Sequence, residues 1–244
     1  FSIITANKIA NSFNQKYFNE LKIYSKKPDV NYKYNTNVGG GLPIISTIEK
    51  LILSGDTIKR FHGILSGSMS FIIDSYNGKI PFYKIVEHAY KAGLTEPHPG
   101  DDLSGLDVAR KLLILIRECK KQMEINEIRI KDLNNNILYK DKPIKEYFEI
   151  IKNNESFYKN MLIKNKKSKH RFKYLASWNG KLAKIELKEV NKSSPFFEHK
   201  EEQNKIAIYT KYHSTSPIII QGSGAGPNRT AAALFADLQL CLNK

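Results

Sequence analysis

The 244-residue sequence predicts a mixed β-sheet covered by helices, an α+β fold with α/β character towards its N-terminus. Residues 171–190 hold two alternating apolar and polar runs joined by Asn179-Gly180, a dipeptide typical of tight hairpin turns. Two more strand-like runs follow at 205–213 and 217–221. Upstream of them, apolar residues recur mostly at helical spacing, so several helices are available to cover the sheet.

The first forty residues predict a strand, a helix and a second strand. Residues 1–5 (FSIIT) predict a short buried strand, and 6–27 predict one helix. Residues 32–36 alternate in the manner of a strand and run into three glycines at 39–41. Glycines between a strand and a helix let the backbone turn sharply or approach a ligand closely, and either use explains them.

The middle of the chain predicts helices around one strand. Helices are predicted at 43–54, 66–78, 81–92, 144–151 and 156–163, and a strand is predicted at 58–65. A lone histidine in that strand, His62, is interpreted as structural. Residues 120–170 are polar and rich in Lys and Asn, and they hold no recognisable chemistry.

The most distinctive stretch is 96–111 (EPHPGDDLSGLDVARK), which places four carboxylates and a lysine at the front of an apolar helix. Its two prolines and the glycine are expected to exclude a helix from the acidic part. Asp102 or Ser104 is expected to cap the helix that follows. Within that helix, Asp107 and Lys111 lie four residues apart and therefore share one face.

Two interpretations compete for the pair of Asp107 and Lys111. An exposed salt bridge is the common outcome for such a pair. Here, however, a proline-bounded acidic bend precedes it. An acidic cluster attracts a metal, a substrate ammonium group or a lysine whose proton it positions. Because a lysine beside carboxylates can exchange a proton with a substrate hydroxyl, the pattern favours a catalytic site.

The chain ends with a second glycine-rich turn. A strand that is predicted to be buried runs into 222–226 (GSGAG), and a helix follows. Free amide groups at the start of a helix attract anions or cofactor amide groups. The turn lacks the lysine of a P-loop.

Composition argues against several classes of protein. No run of 18 apolar residues predicts a membrane span, and the first residues lack the pattern of a signal peptide. Cys119 and Cys241 have no metal-ligand spacing and indicate a reducing compartment, the cytoplasm. The formal net charge of +15 suits an anionic small molecule such as a dinucleotide. Because the lysines are spread over the whole chain, and the densest run at 162–173 is interpreted as a solvated loop, nucleic-acid binding is the lesser alternative.

Four blocks of the sequence resemble homoserine dehydrogenases, and they occur in the order found in that family. The most specific block, TEPHPGDDLSGLDVARK at 95–111, is similar to the family signature TEPDP-x-DDLSG-x-DVARK, with His98 where the family has Asp. The other blocks are TNVGGGLP at 36–43, GILSGSMSF at 63–71 and GSGAG at 222–226. The resemblance covers almost the whole chain. It implies the catalytic domain of that family with a remnant of a Rossmann-type nucleotide-binding domain.

The resemblance implies roles for ten residues. Lys111 would carry the proton with Asp107 orienting it, while Glu96 and Asp102 would hold the substrate ammonium group. Lys8 and Gly226 would contact the nicotinamide cofactor, NADP or NAD. A monovalent cation, such as sodium, would be held at the aligned positions Asn35, Val38, Gly40 and Leu42. Because Asn35 stands where the family has an acidic residue, cation binding is expected to be weaker or absent.

The implied function is NAD(P)-dependent hydride transfer that interconverts L-homoserine and L-aspartate 4-semialdehyde, on the route to threonine, methionine and isoleucine. The sheet is expected to build a homo-oligomer. The implied domains are 1–35, the end of a nucleotide-binding domain; 36–220, for catalysis and dimerisation; and 221–244, a turn and helix returning to the nucleotide side. Most of the nucleotide-binding domain is expected to lie outside this chain. The chain alone is therefore expected to bind NADPH poorly and to turn over little.

Two rival functions stay open at this stage. One is a non-catalytic dimerisation or scaffold module left from such an enzyme. The other is a basic nucleic-acid-binding protein, which predicts steeply salt-dependent binding to DNA or RNA.

Overall fold

The computed structural model describes residues 1–163, 170–199, 203–224 and 226–242. Its helices are α1 (Ile9–Ser12), α2 (Gln15–Tyr24), α3 (Ile44–Leu53), α4 (Gly67–Ser75), α5 (Phe82–Lys91), α6 (Pro99–Leu103), α7 (Leu106–Glu118), α8 (Ile144–Asn153), α9 (Glu155–Ile163) and α10 (Pro227–Leu242). Its strands are β1 (Ile3–Ile4), β2 (Tyr32–Lys33), β3 (Ile58–Ile64), β4 (Arg129–Ile130), β5 (Arg171–Trp178), β6 (Ala183–Val190), β7 (Asn204–Thr210) and β8 (Ile218–Gly222). Half of the basic run at 162–173, residues 164–169, lies outside the described residues.

The main sheet has six strands in the order β4-β6-β5-β3-β7-β8. All neighbours in it are antiparallel except β4 and β6, which are parallel. β1 and β2 form a separate two-stranded parallel pair. The predicted mixed sheet covered by helices is therefore confirmed. The predicted hairpin is confirmed as well, since β5 and β6 are antiparallel neighbours on either side of Asn179-Gly180.

The centre of the fold is α7, which packs against β5 and β6 on one side and against α1 and α3 on others. Its side chains from Leu112 to Ile116 are all fully buried. Burying a side chain of this size contributes about 1.5–3 kcal/mol relative to leaving it exposed. This helix is therefore held in place along most of its length. Its first two turns carry Asp107 and Lys111, so these two side chains are mounted on a rigid support.

Two predicted elements are divided or shortened in the structure. The helix predicted over 6–27 is broken into α1 and α2. Asn14 takes an extended conformation, and its side chain accepts the amide of Tyr17 at 2.8 Å, which starts a new helix. The strand predicted over 32–36 ends at Lys33, and a 3-10 turn (Asn35–Asn37) follows it.

Two strands that were predicted to be buried are partly exposed. β8 is an edge strand of the main sheet, and alternate residues along it are solvent-exposed. β1 has one side chain exposed and one half-buried. An edge strand has a neighbour on one side only, so an apolar sequence does not ensure burial. Among the described helices, none is long and apolar enough to cross a membrane.

Candidate active site

A short helix crosses the acidic bend, where the sequence predicted none. Pro99 occupies the first position of α6, which suits proline because the amide it lacks would have no helical partner there. His98 precedes it, and its Nδ1 accepts the amide of Gly100 at 3.1 Å. An imidazole therefore makes a capping hydrogen bond at the position where the resembling family has aspartate.

A glycine makes the turn between α6 and α7. Gly105 has a φ of +72°, and a Cβ at this position would come within 2.2 Å of the Tyr174 hydroxyl oxygen. Gly105, and neither Asp102 nor Ser104, is the residue at the cap position of α7, so that prediction is wrong. Ser104 nevertheless contributes, because its Oγ accepts the amide of Leu106 at 3.2 Å.

Asp107 bridges two lysines at the start of α7. Its Oδ2 lies 2.8 Å from Lys111 Nζ, and its Oδ1 lies 3.2 Å from the Nζ of Lys8, the residue that precedes α1. Burial raises the pKa of the Asp107 carboxyl, but the neighbouring ammonium groups of Lys111 and Lys8 outweigh burial and hold this pKa below its usual value. Asp107 is therefore a fixed negative charge shared by two cations.

Lys111 is held from a second direction. Its Nζ also donates to the Leu65 carbonyl oxygen at 2.8 Å, immediately after β3 ends. The side chain is 16% exposed. An ammonium group has three protons to donate, and these two contacts use two of them. One proton of Lys111 is therefore left for another partner.

Asp102 connects the acidic bend to α4. Its Oδ1 accepts the Ser68 hydroxyl at 2.5 Å, and its Oδ2 accepts the backbone amide of Glu96 at 2.8 Å. Burial raises the pKa of the Asp102 carboxyl to about 6, although these two hydrogen bonds act in the opposite direction. Both oxygens of Asp102 are thus occupied within the protein, and one of them positions the backbone of Glu96.

A cleft of about 390 Å³ opens beside these groups. Its wall carries carboxylates and cations in equal number. The carboxylates are Glu96, Asp101 and Asp107, and the cations are Lys8, Arg110 and Lys140. The side chains of Arg110 and Lys140 make no hydrogen bond or ion pair with other described residues. A wall that offers free charges of both signs suits a small zwitterion.

Sequence analysis missed Arg110 and Lys140. Arg110 follows Asp107 by three residues, so helical spacing could have placed both on the cleft side of α7. Lys140 lies in the loop before α8, and no local pattern marks it. Lys111 and Asp102 do not line the cleft themselves, but each is bonded to a residue that does.

The two glycine-rich turns lie against each other. The amide of Gly41 donates to the carbonyl oxygen of Gly224 at 3.1 Å. A Cβ on Gly40 would lie 2.0 Å from that same oxygen, and a Cβ on Gly224 would lie 2.3 Å from the Gly39 carbonyl oxygen. Only residues without a side chain allow the backbones to approach this closely. Gly226, with a φ of +115°, follows this contact and leads into α10.

The predicted cation positions surround the first of these turns. Val38 is fully buried, Gly40 and Leu42 follow it, and Asn35 lies in the preceding 3-10 turn. The amide nitrogen of Asn35 donates to Asp237 Oδ1 on α10 at 2.6 Å. The sequence analysis did not identify Asp237.

A larger cleft of about 630 Å³ lies between α2, α3 and the end of α7. Its principal charged groups bind one another. Glu118 accepts the Tyr34 hydroxyl at 2.6 Å and lies 3.1 Å from Lys22 Nζ. Burial and the charge of Glu118 raise the pKa of Glu49 at the same wall. This cleft lacks the bridged lysines of the smaller one, so we place the candidate chemistry in the smaller cleft.

Comparison with known proteins identifies similar chains. The family model described as homoserine dehydrogenase matches residues 43–239. A bifunctional aspartokinase/homoserine dehydrogenase of Buchnera aphidicola (subsp. Acyrthosiphon pisum, strain APS) is 37% identical over 241 residues, which is 98% of this chain and 29% of that protein. The bifunctional aspartokinase/homoserine dehydrogenase 2 of Escherichia coli K12 is 34% identical, again over 98% of this chain and 29% of its own length. The chain thus spans less than a third of these curated relatives.

Solved structures give the same fold. A Candida auris protein of unknown function superposes with a TM-score of 0.92 at 27% identity, covering 100% of this chain and 70% of that one. A hyperthermophilic archaeal homoserine dehydrogenase, solved in complex with NADPH, superposes with a TM-score of 0.72 at 21% identity, covering 99% of this chain and 64% of that one.

Proposed function

Because this chain belongs to the homoserine dehydrogenase family, we propose that it carries the acid–base and substrate-binding groups for the NAD(P)-dependent interconversion of L-homoserine and L-aspartate 4-semialdehyde. The observation that carries the proposal is Asp107 bridging Lys8 and Lys111 beside a cleft with free charges of both signs. Its relatives span about three times its length, so the activity of the whole protein is part of this proposal.

Lys111 moves the proton of the substrate oxygen. In the reducing direction its ammonium group donates the proton that Asp107 and the Leu65 carbonyl leave available, and in the oxidising direction the neutral amine accepts it. Asp107 and the Leu65 carbonyl fix the direction of the Nζ atom, so the proton travels to a defined point at the cleft. A bound nicotinamide would supply the hydride chemistry at the carbon that carries this oxygen.

The remaining charges of the cleft orient the substrate. Glu96 binds the substrate ammonium group, and Asp102 supports it by holding the Glu96 amide. The substrate carboxylate lies towards Arg110 and Lys140, whose side chains are free for it among the described residues. A ligand lacking either charge would leave one side of the cleft unpaired, which favours an amino acid over a simple alcohol.

The residues present suit a nicotinamide cofactor on the side of the glycine turns. Gly226 has no side chain to separate the turn from a ligand, and the 16-residue helix α10 begins directly after it. Lys8 lines the cleft and would contact the nicotinamide end. We assign the segment 1–35 to the nucleotide side, 36–220 to catalysis and dimerisation through the sheet, and 221–244 to the return to the nucleotide side. Cys119 and Cys241 are both unpaired, which suits the cytoplasm.

The proposal is tested by the homoserine-dependent reduction of NADP⁺, followed by absorbance. The assay uses this chain alone and this chain joined to a nucleotide-binding domain taken from a relative. We expect little turnover from the chain alone and clear turnover from the joined protein. Lys111→Met in the joined protein should lower kcat by about 10²–10⁴-fold, the usual contribution of a general acid–base.

Lys91→Met is the matched control, because Lys91 also forms an i,i+4 ion pair with a carboxylate, at 2.9 Å from Glu87, but on the exposed surface. Its activity should stay within about twofold of the parent, as expected for a surface pair. A folded joined protein without any homoserine-dependent reduction would support the rival scaffold module instead. Unchanged activity of Lys111→Met would remove that lysine from the mechanism.

A further inference from the structure

The larger cleft, of about 630 Å³ between α2, α3 and the end of α7, takes no part in the proposed reaction. Its volume falls within the range of about 300–1,000 Å³ that small-molecule sites occupy. Phe18 and Ile52 supply apolar wall, and Leu53, which is 85% exposed, adds an apolar side chain at the edge. The cleft therefore offers apolar contact surface of the kind that small-molecule sites use.

The charged groups deepest in this cleft are already paired. Glu118 lies 3.1 Å from Lys22 Nζ. Arg117, whose side chain is fully buried, lies 3.3 Å from Glu124 Oε2 and also donates to two backbone carbonyl oxygens. The ring of Phe18 contacts both cations, with its centroid 5.5 Å from Lys22 Nζ and 5.2 Å from Arg117 Cζ. These groups need no ligand to balance their charge.

Three lysines in the wall of the cleft are free. Lys26, Lys120 and Lys121 make no hydrogen bond or ion pair with any residue that the structure describes. In the same described part of the wall, Glu49 is the one carboxylate without such a partner. Burial, followed by the charge of Glu118, raises the pKa of Glu49, which favours its neutral form. The free groups therefore have an excess of positive charge, which suits an anion.

Lys120 adopts a backbone conformation that is unusual for its residue type. Its φ is +57°, and it directly follows Cys119, the C-cap of α7. Glycine is the common residue at this position, because it has no Cβ to crowd the left-handed region. The fold thus keeps a lysine at the wall of the cleft where glycine would be less strained.

The free lysines and the carboxylate are spread along α2. Gln15 Oε1 accepts the amide of Met123 at 3.1 Å, so the segment after α7, with its two adjacent lysines, lies beside the first turn of α2. Glu49 and Lys22 together line a neighbouring recess two turns further along. Residues 15 and 22 are about 10 Å apart along a helix axis, and Phe18 lies between them. This spacing suits an elongated ligand with its charge at one end.

We propose that this cleft binds a small organic anion that has one carboxylate and an elongated apolar body, such as a medium-chain acyl carboxylate. The ammonium groups of Lys120 and Lys121 bind the carboxylate, and the apolar body lies over Phe18 and Ile52. The site is separate from the cleft of the proposed reaction, since the two share no lining residue. The inference therefore does not depend on the proposed function.

The experiment is isothermal titration calorimetry of this chain with octanoate, acetate and 1-octanol at one pH and ionic strength. We expect one saturable site for octanoate. Acetate lacks the apolar body and 1-octanol lacks the charge, so each should bind about tenfold more weakly or worse. Octanoate should also raise Tm saturably, because a ligand that binds only the folded state stabilises it. Equal affinity for acetate would mean an adventitious ion only, and the absence of a saturable octanoate site would overturn the inference.

Variants at the cleft should change affinity in opposite directions. Lys121→Gln and Lys120→Gly should each weaken octanoate binding by about fivefold, the effect of one unit charge at about 4 Å in water. Lys120→Gly should melt no lower than the parent, because glycine suits the left-handed backbone. Glu49→Gln should strengthen binding, since it removes the free carboxylate from the wall. Unchanged affinity in both lysine variants would contradict the assignment.

Lys16→Gln is the matched control, because Lys16 is an exposed lysine of α2 that does not line the cleft. It removes the same charge and should leave the affinity within about twofold of the parent. Weakening equal to that in Lys121→Gln would assign binding to overall charge and overturn the inference.

Arg110→Gln separates this site from the proposed reaction. Arg110 lines the smaller cleft, so this variant should bind octanoate as the parent does. Loss of octanoate binding in Arg110→Gln would place the anion in the smaller cleft instead. Failure of the homoserine assay would leave the result untouched, because calorimetry measures binding alone.

Discussion

The raised pKa of Asp102 leads to a prediction about stability. Burial raises the pKa of this carboxyl from 3.8 to about 6, even though Ser68 and the Glu96 amide donate to it. At about 1.36 kcal/mol per pKa unit, the difference corresponds to about 3 kcal/mol. Because Asp102 is partly exposed, we expect about 1–3 kcal/mol in practice.

The direction of the pH effect on folding stability follows from whether the unfolded or the folded protein loses the Asp102 proton first. As pH rises, the unfolded chain loses the Asp102 proton first, and the folded protein follows near pH 6. The contribution of this group to folding is therefore most favourable below about pH 4, and it is lost between about pH 4 and pH 6. Asparagine resembles the protonated acid in shape. It can still accept the Glu96 amide, while the Ser68 hydroxyl can turn to accept from it.

The measurement is the free energy of urea unfolding from pH 4 to pH 8 for the parent and Asp102→Asn. The variant should be about 1–3 kcal/mol more stable than the parent at pH 7.5 and nearly equal to it at pH 4. Other groups titrate in this range, so the difference between the two proteins is the informative quantity. A carboxylate kept at such an energetic disadvantage is expected where it serves a site.

Two serine variants refine the test. Ser68→Ala removes a donor that lowers the Asp102 pKa, so the transition should move above pH 6. Ser104→Ala is the control, since this hydroxyl bonds Asp101 O and the Leu106 amide and does not touch Asp102. Parallel stability curves for the parent and Asp102→Asn would refute the reasoning.

A methyl group at Gly40 would lie 2.0 Å from the carbonyl oxygen of Gly224, whereas a methyl group at Gly55 would meet open space. Gly40→Ala should therefore lower Tm far more than Gly55→Ala. Gly55→Ala should cost only the strain of positive φ, about 1–2 kcal/mol; equal losses in thermal melts would contradict close packing. Lys173→Met should lower the free energy of urea unfolding by about 3–5 kcal/mol, because it leaves the partly buried carboxylate of Asp74 without its ion-pair partner. Adding Asp74→Asn should recover part of this loss. Burial lowers the pKa of His62 from 6.5 to about 4, so acidification over this range should destabilise the parent by up to about 3 kcal/mol, and His62→Gln should remove that loss.

Elements with a strong local signal were predictable. The hairpin has a turn dipeptide between two alternating runs, and α3 and α5 have regular apolar spacing between a proline and a glycine. The break at Asn14 and the short helix α6 were not predicted. Helix propensities differ by less than about 1 kcal/mol per residue for ordinary side chains, so one capping bond or one packing contact decides such boundaries.

Some residues of the candidate active site were predictable from the sequence, and others were not. Asp107 and Lys111 were predictable as a pair, because four residues of helix bring two side chains together whatever surrounds them. The approach of Lys8, the free charges of Arg110 and Lys140, and the bond between Asn35 and Asp237 across 202 residues required the folded structure. Local pattern specifies neighbours within a turn or two of the chain. Contacts between distant segments depend on how all the apolar faces are buried together, and that is a property of the whole fold.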